Sequence, residues 1–86
     1  MELILISGLS GSGKSVALNL LEDSGYYCVD NLPVVMLTVL IGMLKEEGIQ
    51  KTAIAIDARS GHGIDLLPSK MQKLAESGID LTFLFL

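Results

Sequence analysis

Eight consecutive residues, Gly8-Leu9-Ser10-Gly11-Ser12-Gly13-Lys14-Ser15, fit the pattern G-x-x-x-x-G-K-[ST] at every fixed position. The residue types have a chemical reason. Glycines let the backbone turn tightly with no side chain in the way. The amides of such a turn can converge into a concave nest for an anion. A helix beginning there adds the positive end of its dipole. Lys14 would set an ammonium on the β- and γ-phosphates of a nucleotide, and Ser15 would offer a hydroxyl to Mg²⁺. The bland alternative is a glycine-rich turn that merely joins a strand to a helix.

Three further positions could contribute. Asp57 ends the apolar run Ala53-Ile54-Ala55-Ile56. A carboxylate at the C-terminal edge of a parallel strand stands where ligands bind in open α/β sheets, and it could hold Mg²⁺ through water. It could equally cap the next turn or pair with Arg59. Asp30 follows a second short strand and should reach the same edge. There it could orient an acceptor, act as a base or sit near the metal, or simply cap the following helix. Asn31 has the same ambiguity. Arg59 could meet phosphate or be a solvated loop arginine. His62 lies between two glycines and reads as a surface residue. One histidine and one cysteine far apart in sequence do not make a zinc site.

The elements that must position these residues emerge from the apolar pattern. Residues 2–7 read as a buried strand, because Leu3, Ile4, Leu5 and Ile6 are continuous rather than alternating. Val16, Ala17, Leu20 and Leu21 recur at helical spacing from Lys14 to about Asp23, with Gly25 as the stop. Tyr26-Tyr27-Cys28-Val29 is a short strand, and residues 30–33 form a turn that opens a second helix over 33–47. A third strand covers 52–57 and a loop 59–63. A third helix spans roughly 66–77, with Leu67, Met71 and Leu74 on one face, and a fourth strand covers 80–86. The order β-α-β-α-β-α-β predicts a parallel sheet covered by helices on both faces. Met36, Met43 and Met71 are expected to fill the core, Tyr26 and Tyr27 to pack, and Cys28 to be a small buried strand residue with no lowered thiol pKa.

Bulk composition bounds the function. The chain has 86 residues, half of them hydrophobic and 19% charged, so it is one globular domain at most. A net charge of −4 with only six Lys and Arg argues against a broad nucleic-acid surface. The single cysteine allows no internal disulfide. No signal peptide or 20-residue apolar span is visible, so a soluble cytoplasmic protein without membrane contact is the expectation. The apolar run that ends the chain suggests a piece of a longer protein. That run and the apolar second helix leave room for a partner surface, a homo-oligomer included.

The wider pattern resembles a known family. Residues 6–15 are followed by Ala17-Leu18, by Leu21-Glu22-Asp23, and by Gly25-Tyr26-Tyr27-Cys28-Val29-Asp30-Asn31-Leu32-Pro33. Then come Ile54-Ala55-Ile56-Asp57-Ala58-Arg59-Ser60 and the closing Leu84-Phe85-Leu86. The chain resembles the N-terminal portion of the RapZ/YvcJ family, the bacterial RNase adapter proteins and their relatives, and residues 21–33 are the distinctive part. The resemblance implies a P-loop NTPase-type three-layer sandwich with a mainly parallel sheet, incomplete at the C-terminus. It implies one nucleotide-binding domain over residues 1–86 that binds ATP and GTP and hydrolyses them slowly. Gly8 to Ser15 match the family's ATP loop, and Asp57, Ala58, Arg59 and Ser60 match its GTP segment. Contacts with RNA or an endoribonuclease would belong to a C-terminal domain outside this chain. In the family the last strand also runs on into an acidic residue, whereas this chain stops at Leu86. The residues themselves leave two other functions open, a small-molecule kinase and a nucleotide-sensing interaction domain without turnover.

Overall fold

The computed structural model describes residues 1–8, 11–57 and 64–85. Four strands, β1 (Glu2–Ser7), β2 (Tyr27–Leu32), β3 (Lys51–Ile56) and β4 (Asp80–Phe85), alternate with three helices, α1 (Gly11–Asp23), α2 (Leu37–Glu46) and α3 (Leu67–Glu76). Short 3-10 turns at Val34–Met36 and Ile64–Leu66 lead into α2 and α3. The sheet order is β2-β3-β1-β4 and every pairing is parallel.

Side chains alternate across the sheet, so each strand serves two layers. Leu3, Leu5, Ile54 and Ile56 join Leu37 and Ile41 of α2 and Leu67 and Leu74 of α3 in the larger core. Ile6, Ala53 and Ala55 meet Leu18 on the other face, where α1 packs. The three-layer arrangement is therefore the expected one. The α1 side has a floor of alanines, which lets that helix lie close to β3.

Each helix stops by the same geometry. At the end of α1 the Gly25 amide donates to the Glu22 carbonyl at 3.0 Å, and the Tyr26 amide to the Leu21 carbonyl at 3.0 Å. Gly25 has φ +92°, a left-handed conformation that side chains disfavour, and a Cβ there would meet nothing within 4 Å. Glycine is thus demanded by backbone conformation rather than by space. The Ile49 and Ile79 amides bond to Leu44 and Leu74 in the same way.

Several expectations are corrected. Helix α1 begins at Gly11 rather than Lys14, so the second half of the glycine loop is already helical. Strand β2 continues to Leu32, and residues 30–32 lie in the strand instead of a turn. The second helical segment opens at Pro33 with no side-chain cap, so neither Asp30 nor Asn31 caps it. Met36 and Met43 are 52% and 55% exposed, and Val35 and Val39 are exposed beside them. The run from Val34 to Leu44 is mostly apolar, but Val34, Leu37, Ile41 and Leu44 are buried and Leu40 only partly so. On α1, Val16 and Leu20 point outward while Leu18 is buried. Tyr27 is also largely exposed, whereas Met71 and Tyr26 pack as expected.

The two sheet edges differ. β2 is interrupted by one extra residue between Val29 and Leu32. β4 runs in unbroken register beside β1, from Glu2 opposite Asp80 to Ser7 opposite Phe85. It leaves Phe83, Leu84 and Phe85 exposed.

Candidate functional site

β1 ends at Ser7, Gly8 follows, and α1 starts at Gly11. Three residues, Gly8, Leu9 and Ser10, separate the strand from the helix, and Leu9 and Ser10 lie outside the described residues. Gly8 leaves the strand at φ 156°, a positive value that suits a residue without Cβ. Lys14 and Ser15 are the fourth and fifth residues of α1. They follow directly on the first turn, whose unpaired amides give a helix its anion-attracting end. Lys14 is half-buried and Ser15 exposed.

Asp57 is brought to the same edge. Ile6 pairs with Ala55, so Gly8 and Asp57 each lie two residues beyond that pair. The Asp57 amide donates to the Leu32 carbonyl at 2.9 Å, which ties the end of β3 to the end of β2. Its side chain is half-buried. Ala58, Arg59, Ser60 and His62 lie outside the described residues.

Asp30 also reaches this end of the sheet, two residues before Leu32, which pairs with Ile56. It is exposed, and its Oδ1 accepts the Asn31 amide at 2.8 Å. One carboxylate oxygen is therefore partly engaged by the backbone. Asn31 has φ +54°, an uncommon value for a residue with a side chain. Sequence reasoning alone does not separate Asn31 from its neighbours. The one available signal is that asparagine is several-fold enriched in this conformation.

The donor chemistry at this edge fits a hard divalent cation: a serine hydroxyl and a carboxylate are both oxygen ligands of the kind Mg²⁺ prefers. Among the described residues no three His, Cys, Asp or Glu side chains cluster as a metal site. An open depression of about 550 Å³ at the opposite end of the sheet, lined in part by Tyr26, Tyr27 and Lys51, holds none of the candidate residues. There the Tyr26 hydroxyl donates to Glu2 at 3.0 Å. That bond pushes its pKa above the ordinary tyrosine value, with smaller contributions from burial and from the charges of Glu2 and Asp80. Cys28 is half-buried under α1 with its Sγ 3.4 Å from the Leu18 carbonyl. Burial first, and Glu22 second, push its thiol pKa up.

A parallel sheet in the order β2-β3-β1-β4, with a glycine loop passing from β1 into α1, is a P-loop NTPase-type α/β fold. Comparison with known proteins narrows the class. The model of the RapZ-like N-terminal domain matches residues 1–86, and the chain belongs to that family. A protein of Dechloromonas aromatica (strain RCB) named nucleotide-binding protein is 87% identical over all 86 residues, which cover 31% of its length. Proteins of the same name from Thiobacillus denitrificans and Chromobacterium violaceum are 56% and 57% identical over the whole chain. The chain spans 31% of the length of each of these relatives. Among the described residues, no helix is long and apolar enough to cross a membrane.

Proposed function

We propose that this chain is a nucleotide-binding domain that holds the phosphates of ATP or GTP in the loop Gly8-Leu9-Ser10-Gly11-Ser12-Gly13-Lys14-Ser15. The observation that carries the reading is the placement of Gly8, Lys14 and Asp57 at one sheet edge, with α1 starting at that edge. Lys14 neutralises phosphate charge. Ser15 and Asp57 would hold Mg²⁺, which would supply charge neutralisation for the phosphates when bound. Asp57, Ala58, Arg59 and Ser60 complete the nucleotide contacts. Asp30 orients a water or an acceptor from the end of β2. With so few groups to position a water, turnover is weak hydrolysis at most. The names of the relatives support nucleotide binding. In a longer cytoplasmic protein the domain would serve as the nucleotide module of an RNase adapter-like regulator, with RNA or endoribonuclease contacts made elsewhere.

The exposure of Asp30 at the same edge favours one second reading, a small-molecule kinase in which Asp30 faces the acceptor. Stoichiometric ATP use on addition of one metabolite would select it over hydrolysis.

Calorimetric titration with MgATP and MgGTP, beside a folded Lys14→Ala variant, tests the main proposal. Loss of a charge-assisted phosphate contact should weaken binding about 10-fold or more. Equal binding by the variant, or none by the folded wild-type chain, would refute it.

A further inference from the structure

Strand β2 changes phase just before the candidate site. Val29 pairs with Ile54 and Leu32 with Ile56, so three steps along β2 match two along β3. Side chains alternate along a regular strand, and Val29 and Leu32 would then face opposite sides. Both instead meet the core on the α2–α3 side. The extra residue makes this possible, and Asn31 supplies the left-handed backbone of the bulge at φ +54°. Asp30 holds the arrangement by accepting the Asn31 amide. Bulges recur beside active sites because they re-aim the neighbouring side chains.

Here the next residue is Leu32, whose side chain is 9% exposed and whose carbonyl accepts the Asp57 amide at 2.9 Å. We propose that Asn31 is a positioning residue for Asp57: its left-handed conformation sets the phase of Leu32, and the Leu32 carbonyl fixes where β3 releases the Asp57 carboxylate. The inference rests on the reading of Asp57 as a metal-holding residue. Its geometric half concerns only this chain. The Asn31 side chain is itself exposed, so a different side chain at that position displaces no core residue directly.

The test compares Asn31→Gly, which accepts the conformation, with Asn31→Val, whose branched side chain resists it. The first readout is hydrogen exchange of the Asp57 amide without nucleotide, followed by NMR. Asn31→Val should speed that exchange by about 10-fold, the scale of a lost left-handed residue, and Asn31→Gly should leave it near the wild-type rate. The second readout is ATP affinity with and without Mg²⁺. Asn31→Val should lose the Mg²⁺-dependent part and keep the metal-free part, while Asn31→Gly retains both. Wild-type Asp57 exchange in Asn31→Val would overturn the proposal. So would an Asn31→Gly variant that fails as badly as Asn31→Val, because a direct side-chain contact would then be responsible. Nucleotide binding that fails in the wild type while Asp57 exchange responds as expected would refute the functional reading and leave the positioning role standing.

Discussion

The Tyr26 amide donates to the Leu21 carbonyl at 3.0 Å, and with that bond α1 ends and the chain turns toward β2. The bond needs Gly25 at φ +92°. Gly25→Ala should therefore cost about 1 kcal/mol, the penalty for placing an L side chain in that region. The check is a urea midpoint that falls while the slope stays the same. Since a Cβ there meets nothing, an unchanged midpoint would mean that the turn closes by another route.

Ala55 is fully buried beneath α1, with Ala53 beside it. Ala55→Leu should force the helix away from the sheet and cost about 1–3 kcal/mol, as overpacking does. The same helix carries Lys14 and Ser15 at its start. Nucleotide affinity should fall together with stability, a pairing that titration and denaturation of one sample can establish. A variant that lost stability alone would show that the loop does not depend on how α1 is seated.

Thr52 lies at 0% exposure on β3, and its Oγ1 has no hydrogen-bond partner among the described residues. A buried, unpaired hydroxyl is costly, and replacing it with a methyl of similar shape removes that cost. Thr52→Val should raise stability by about 1 kcal/mol. Thermal unfolding of the two proteins decides the matter, and a lower midpoint in the variant would show that the hydroxyl is satisfied in solution.

Cys28 should react slowly with a maleimide near neutral pH, because burial and then Glu22 hold its thiol protonated. The folded state binds this proton more tightly than the unfolded chain does. The associated stability is present at neutral pH and is lost as pH rises through the raised thiol value. Labelling rates across alkaline pH, compared with a cysteine peptide, give the shift directly. Glu22→Gln should move the rate profile slightly toward lower pH.

The elements that carry the candidate residues were legible because they are local in sequence. The glycine loop, the buried strand before it and the helix after it are consecutive, and Asp57 follows directly on β3, which runs over Lys51–Ile56 rather than the expected 52–57. The features that sequence could not supply depended on partners far along the chain. The apolar run through α2 gives no hint which side faces the sheet. Only packing against β1, β3 and α3 separates buried Leu37, Ile41 and Leu44 from exposed Val39 and Met43. The role of Asn31 was hidden for a similar reason. A bulge is defined by the strand opposite it, and a caps-and-turns reading of Asp30 and Asn31 concerns only their own segment.

The unequal sheet edges give this fold a direction of growth. A strand added beside β4 would find a straight, regular neighbour with apolar side chains already in place. An addition beside β2 would first have to iron out the bulge, and with it the carbonyl that holds Asp57. Insertions, gene fusions and laboratory grafts should therefore be tolerated on the β4 flank and penalised on the β2 flank. On this geometry the sheet can grow beside β4 without disturbing the bulge that sits next to Asp57.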